Sequence, residues 1–310
     1  MEINKIYEGD ALSVLKTFPE KIFNTCVTSP PYYALRDYGV AGQIGREETP
    51  ELFIQKLVDV FREVRRTLRD DGTIWINMGD SYANRNMSGL KPKDLMGMPW
   101  ALAFALRNDG WYLRKDIIWS KKNPMPESVN DRPTNSHEYI FLLSKAPKYY
   151  YDIESTLEEI SENTHLRISQ DIAKQIGSFR ANGGTKTNGP MKTVIRTPKQ
   201  VNSGSGIKNN DSFNNATCLP VLKRNKRSVW EITTKPYFEA HFATYPPELI
   251  VPCIKAGCPE GGLVLDPFGG ANTTGVVSRK LNRNYVAIEL NPEYIKIGEK
   301  REYKEIGLFK

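Results

Sequence analysis

The chain has 310 residues and a formal net charge of +7, with 25% charged and 39% hydrophobic residues, the make-up of an ordinary globular protein. No apolar run approaches the roughly 20 residues of a membrane span, and residues 1–5 lack the basic-then-apolar start of a secretion signal. A membrane protein and a secreted protein are therefore excluded as expectations, and a cytoplasmic chain is expected.

The first 150 residues alternate short β-rich runs with helical patterns, as an α/β sheet requires. Residues 5–8 predict a strand, followed by Gly9-Asp10 and a short helix carrying Leu12 and Leu15. Residues 25–28 predict a second strand, which ends at Ser29-Pro30-Pro31-Tyr32. From Pro50 to Arg69, Phe53, Leu57, Val58, Phe61, Val64 and Leu68 recur at spacings of three and four, and Pro50 suits the first turn of that amphipathic helix. Asp71-Gly72 turns the chain into a strand over 73–77. A helix over 97–107, strands over 111–119 and 138–144, and a proline-rich loop over 123–133 follow.

Near Ser155 the character changes. Residues 156–228 hold 12 Lys and Arg against 5 Asp and Glu, so this one segment carries the whole charge excess. Asn182-Gly183-Gly184 and Ser203-Gly204-Ser205-Gly206 mark turns or loops. The expected organisation is a catalytic domain of residues 1–155 and 228–310, with 156–227 inserted as a basic segment suited to phosphates. Order returns with a strand over 228–232 and a helix starting at 246–248. A buried strand over 263–266, a helix over 272–281, a strand over 285–289 and a last helix from Pro292 complete the chain. The four cysteines (Cys26, Cys218, Cys253, Cys258) have no CxxC spacing and only three histidines for company, so no metal is expected.

Val264-Leu265-Asp266-Pro267-Phe268-Gly269-Gly270-Ala271-Asn272-Thr273-Thr274-Gly275 reads as strand, tight glycine turn and helix start. Such a turn lets backbone approach a ligand, and the helix supplies unpaired N–H groups. Glu289 ends the next strand, where a carboxylate can accept from ribose hydroxyls. A carboxylate such as Asp266 is a poor neighbour for a pyrophosphate and a good one for the sulfonium and ammonium of S-adenosyl-L-methionine. At Ser29-Pro30-Pro31-Tyr32, the Ser29 hydroxyl and the Pro30 carbonyl can accept from an exocyclic amino group whose lone pair is delocalised into a base. The prolines Pro30 and Pro31 hold that carbonyl rigid, and Tyr32 can stack on a base drawn from the duplex.

Together these motifs resemble the amino-methyltransferases of DNA restriction–modification systems, whose catalytic motif is [DNS]-P-P-[YFW]. The order here, catalytic motif, basic insertion, cofactor motif, resembles their β class, in which target recognition lies between the two. The resemblance spans nearly all of the chain outside residues 155–227. It implies a Rossmann-like α/β methyltransferase fold with a mixed, mostly parallel sheet and helices on both faces. It also implies S-adenosyl-L-methionine as cofactor and double-stranded DNA as substrate. A cognate restriction endonuclease and a homodimer are the partners it suggests.

Ser at the first motif position resembles cytosine-N4 enzymes, whereas adenine-N6 enzymes more often carry Asp or Asn; both bases stay open. By the same resemblance, Asp10 contacts the cofactor adenine, and Phe242 and Thr244, within His241-Phe242-Ala243-Thr244-Tyr245-Pro246, help enclose the methionine moiety. Thr28, Thr273, Thr274 and Leu290 complete the expected cofactor set. Trp119-Ser120-Lys121-Lys122-Asn123-Pro124 and Ser136-His137-Glu138-Tyr139 resemble segments lining the base pocket. The family turn commonly reads Phe-x-Gly-x-Gly, and Asn272 departs from it at the last position. Asp80 follows a strand end and is expected to line the pocket or to cap that strand. Two rivals remain: an RNA or protein-glutamine methyltransferase, which generally places its cofactor motif first, and a DNA-binding module with a vestigial core.

Overall fold

The computed structural model describes residues 1–35, 39–40, 42–86, 89–162, 223–235 and 245–307. The chain divides into two compact units, residues 1–156 with 227–310, and residues 157–226. In the larger unit the described strands are β1 (Lys5–Glu8), β2 (Phe23–Thr28), β3 (Leu68–Met78), β4 (Tyr112–Ser120), β5 (His137–Ser144), β8 (Val229–Glu231), β9 (Leu263–Asp266) and β10 (Asn284–Glu289). They form one sheet in the order β1-β10-β9-β2-β3-β5-β4-β8. The pairs from β1 to β3 are parallel, whereas β5 runs antiparallel to both β3 and β4.

Helices α1 (Ala11–Leu15), α2 (Pro50–Thr67) and α3 (Met98–Asn108) cover one face; α4 (Pro247–Gly257), α5 (Thr273–Lys280) and α6 (Pro292–Ile306) cover the other. Alternation along the strands divides the core between the two layers. Ile74, Ile76, Met78, Leu265, Val286 and Ile288 pack with the first helix layer. Trp75, Val264, Tyr285 and Ala287 pack with the second. Strands buried on both faces read as continuous apolar runs, which is why the β9 run 263–265 was legible from sequence.

The helix starts follow their expected chemistry. Thr49 caps α2 by accepting from the Leu52 amide at 3.3 Å, with Pro50 in the first turn. One boundary differs from expectation. The strand expected over 73–77 begins at Leu68, and its register on β2 jumps from Phe23↔Leu68 to Thr25↔Thr73. Asp71-Gly72 therefore sits in an irregularity of the strand and not in a turn ahead of it.

In the smaller unit, the described part is the antiparallel pair β6 (Glu158–Glu159) and β7 (Lys223–Arg224), where Glu158 faces Arg224 at 3.5 Å and Lys226 at 3.2 Å. Most of the basic segment lies outside the described residues. Among the described residues, Cys26, Cys253 and Cys258 are buried thiols outside any disulfide. No group of three metal-binding side chains occurs among the described residues, and no helix there is long and apolar enough to cross a membrane.

Asn272 stands where the family turn carries glycine. It takes up the left-handed backbone at φ 56°, ψ 36°, a region asparagine tolerates better than most residues. Its side chain turns inward and donates to the Tyr285 hydroxyl at 3.0 Å. Gly275, one turn on, is glycine because a Cβ there would lie 2.1 Å from Asn272 Oδ1 and 2.7 Å from Tyr285 Cε2. Gly275→Ala gains at most about 1 kcal/mol of helix propensity, against an overpacking penalty of about 1–3 kcal/mol. A net loss of stability is expected, read as a lower urea midpoint; a raised midpoint would show that the site relaxes freely.

Candidate active site

Ligand sites in open α/β sheets lie beyond the carboxyl ends of the strands, where the chain's winding reverses. Here that point falls between β9 and β2. The two strands pair only at Thr25↔Val264 and Cys26↔Leu265, and then carry Asp266 and Thr28 to the same edge. Across the gap the Thr28 hydroxyl donates to Asp266 Oδ1 at 2.6 Å, which joins the two motifs although 238 residues separate them.

Asp266 is 2% exposed, and its carboxylate is fully engaged. Oδ1 also accepts from the Phe268 amide at 3.1 Å. Oδ2 accepts from the Thr274 hydroxyl at 2.6 Å and the Tyr245 hydroxyl at 3.3 Å. The Tyr245 proton is shared between Asp266 Oδ2 and the Thr274 oxygen. Four donors fill the acceptor positions of the carboxylate, so Asp266 acts on a ligand through its charge and through the turn it holds. Burial raises its pKa from the ordinary value, and the hydroxyl and amide donors oppose that rise.

Glu289 ends β10 beside this turn. Its Oε2 accepts from the Gly270 amide and its Oε1 from the Asn291 amide, each at 2.8 Å. Burial raises its pKa too. The two glycines of the turn differ in role. A Cβ on Gly269 would lie 3.0 Å from the Ala287 Cβ, so this glycine lets the turn pack on β10. Around Gly270 (φ +50°) a Cβ would meet nothing within 4 Å, so its surface is open. Phe268 is half-buried, its ring edge-on to Phe61 with centroids 6.4 Å apart, and Pro267 is buried beneath the turn.

Asp10 is brought to the same edge because β1 pairs with β10, and the Gly9 amide donates to the Glu289 carbonyl at 3.0 Å. Its Oδ1 caps α1, accepting from the Ser13 amide and hydroxyl at 2.9 and 2.7 Å. Half-buried Leu290 follows Glu289. Thr273 points elsewhere: its hydroxyl accepts from Arg301 at 2.7 Å, in the packing of α6. Phe242, Thr244 and His241 lie outside the described residues.

At the catalytic motif, Pro30 is buried, and Ser29, Pro31 and Tyr32 are half-buried. The Tyr32 hydroxyl donates to Glu138 Oε2 at 2.7 Å. The same oxygen accepts from Asn77 Nδ2 at 3.1 Å, while Lys121 Nζ reaches Oε1 at 2.6 Å. Burial, with the Glu138 charge adding to it, pushes the Tyr32 phenol well above its ordinary pKa. Asp80 proves to be a capping residue, accepting from the Gly97 and Met98 amides at 3.0 and 3.2 Å at the start of α3. His137 packs edge-on against Tyr139. Sequence reasoning missed the individual roles of Tyr245, Asn77, Lys121 and Glu138. Their segments were recognisable, but which side chain of a strand faces a site depends on register.

The donor set fits a cationic methyl donor. Two carboxylates, one buried and one half-buried, flank a turn with an open glycine, which would repel a pyrophosphate and attract a sulfonium or ammonium. Fold and site together thus define a Rossmann-like methyltransferase of the kind that uses S-adenosyl-L-methionine. The chain belongs to the N6/N4 family of DNA methylases, whose model matches residues 23–300, and it is a DNA methyltransferase of that family.

It is 45% identical to the type II methyltransferase M.SmaI of Serratia marcescens, over 96% of this chain and 90% of that protein. It is 43% identical to M.Cfr9I of Citrobacter freundii, over 97% and 89%. Among solved structures it resembles the cytosine-N4-specific PvuII DNA methyltransferase (TM-score 0.62, 19% identity, 98% of this chain and 90% of that one). It also resembles a DNA modification methylase of Thermus thermophilus complexed with S-adenosyl-L-methionine (TM-score 0.60, 22% identity, 98% and 95%).

Thr28→Val preserves the strand and the side-chain volume while removing one donor from a buried carboxylate. The expected loss is about 1–3 kcal/mol of stability, with weaker cofactor binding. Urea unfolding and calorimetric titration with S-adenosyl-L-methionine check both, and wild-type values in each would show that the bridge contributes nothing.

Proposed function

We propose that this DNA methyltransferase transfers a methyl group to the exocyclic N4 of cytosine in duplex DNA, the target base being drawn out of the helix. The observation that supports the reading is the Thr28–Asp266 hydrogen bond, which ties the strand ending just before Ser29 to the glycine turn read as the cofactor site. S-adenosyl-L-methionine supplies an activated methyl group on a sulfonium, itself a good leaving group. Gly270, Glu289 and Asp10 are the residues suited to hold its adenosine end, with the charge of Asp266 nearby. Phe242 and Thr244 are assigned to the methionine end by resemblance.

The chain's own contribution is positioning and electrostatics. The Ser29 hydroxyl and the Pro30 carbonyl accept from the two N–H bonds of the amino group, which favours a pyramidal, nucleophilic nitrogen. Tyr32 offers a ring for stacking on the extruded base. A serine, and not Asp or Asn, at the first motif position supports cytosine over adenine. The cytosine-N4 specificity of the similarly folded PvuII enzyme supports it as well.

Residues 156–227 form the target-recognition part, with lysines and arginines on phosphates and a few side chains reading base edges. The type II relatives suggest a restriction–modification setting with a cognate endonuclease, and the class resemblance suggests a homodimer. A cytoplasmic location suits a substrate of cellular DNA.

Labelled S-adenosyl-L-methionine and unmethylated genomic DNA, followed by digestion to nucleosides, tests the base. Label in N4-methylcytosine is expected, and label in N6-methyladenine would overturn the assignment. Ser29→Ala is expected to lower kcat by about 10²-fold or more, with cofactor affinity within about twofold of wild type. Equal loss of both would remove Ser29 from its role.

A further inference from the structure

A line of hydrogen bonds leads away from the catalytic segment into the sheet. The Ser29 hydroxyl donates to the Tyr32 oxygen at a long 3.5 Å, and the Tyr32 hydroxyl donates to Glu138 at 2.7 Å. Hydrogen bonds at catalytic positions are often long before substrate arrives. Glu138 is anchored from two further directions, by Asn77 and by Lys121, and its side chain is only 14% exposed. Lys121 is steadied in turn, its ammonium lying 5.0 Å over the Trp119 ring while Trp119 Nε1 donates to the Ile232 carbonyl at 2.9 Å.

The far side of Tyr32 is closed by Gly79. A Cβ on that residue would lie 3.0 Å from Tyr32 Cε2 and 3.2 Å from Glu138 Cδ, so a side chain there would crowd both groups and glycine lets them pack against the backbone.

The direction of the line follows from what each group can do. A carboxylate only accepts, so the Tyr32 proton must point at Glu138. The Tyr32 oxygen is then left to accept, and the Ser29 proton turns toward it. A hydroxyl has one proton and two lone pairs; with the proton committed inward, the lone pairs face the substrate side.

We propose that Glu138 is a positioning residue for methyl transfer: held by Lys121 and Asn77, it orients Tyr32 so that Ser29 meets the substrate amino group purely as a hydrogen-bond acceptor. A neutral serine thereby gains the one-way acceptor character that a carboxylate has by nature. The inference rests on the reading that Ser29 receives an exocyclic amino group.

The test is a double-mutant cycle of Glu138→Gln and Tyr32→Phe, assayed with labelled S-adenosyl-L-methionine on unmethylated DNA. Tyr32→Phe keeps the ring for stacking and removes only the hydroxyl. Each single variant is expected to lose about tenfold in kcat, the worth of one such hydrogen bond. Cofactor affinity should stay near wild type; both variants should remain folded at the assay temperature, with a lowered melting temperature because each removes a partner from a largely buried charged cluster. The double variant should be no slower than the slower single, because the same line is cut twice.

Tyr32→Phe at the wild-type kcat, or losses that multiply in the double variant, would overturn the proposal. Should Glu138→Gln fail to fold, Glu138→Asp, which keeps the charge and withdraws it from the Tyr32 hydroxyl, takes its place in the cycle and is read by the same criterion. Rate is counted as total label in DNA, separately from product identity. N6-methyladenine as product would therefore correct the base while the cycle still decides the role of Glu138.

Discussion

A single buried carboxylate holds the two halves of this site together. Asp266 receives Thr28 from the catalytic strand, Thr274 from the helix after the cofactor turn, Tyr245 from the segment before α4, and the amide of Phe268 within the turn. Burying an ion is favourable only where hydrogen bonds replace the lost water, so each of these four donors is constrained by the others. Loosening one leaves a charge under-satisfied in a dry place. The catalytic motif cannot drift from the cofactor turn without incurring that cost, and strand pairing between β2 and β9 extends over only two residue pairs. The carboxylate completes the seam where the sheet begins to splay.

The division of labour between the two acids follows from their surroundings. Asp266 has its acceptor positions filled by protein, and it contributes charge and geometry. Glu289 accepts one amide on each oxygen and keeps acceptor capacity on both for further donors. Glycine is used with similar economy. Gly269 permits packing on β10 and Gly270 leaves its surface open, while Asn272 supplies a left-handed backbone and turns its amide into the core. Asn272 takes up at φ 56°, ψ 36° the left-handed backbone that a glycine would otherwise supply at this point of the turn.

A second polar cluster, Tyr32 with Glu138, Asn77 and Lys121, joins β3 and β5 to the segments that follow β2 and β4. It occurs where the antiparallel β5 enters a parallel sheet and brings Trp119 opposite Glu138 and Met78 opposite Tyr139. The sheet thus presents a charged pair within hydrogen-bond reach of the residue assigned to base stacking. Polar groups placed this way have value only when every partner is present.

Much of this protein was legible in its sequence. The run 263–266 and the glycine turn after it, the period of Phe53, Leu57, Phe61 and Val64, and the prolines at 30, 31, 50 and 292 are local signals. Each reports backbone preference or the burial of one face, so strands, helices and the two motifs could be placed to within a few residues. The β3 boundary was misplaced because an Asp-Gly pair signals a turn locally, whereas pairing to β2 carries the strand through it.

What no local pattern could supply was which side chains meet. That Thr28 meets Asp266, that Asp80 caps α3 while Glu138 grips Tyr32, and that Thr273 turns to Arg301 are consequences of strand order and register. Sequence determined the elements and the chemistry they carry, because propensity and periodicity act over a few residues. Tertiary structure alone decided the partners, because a hydrogen bond across 238 residues exists only once the sheet has brought its edges together.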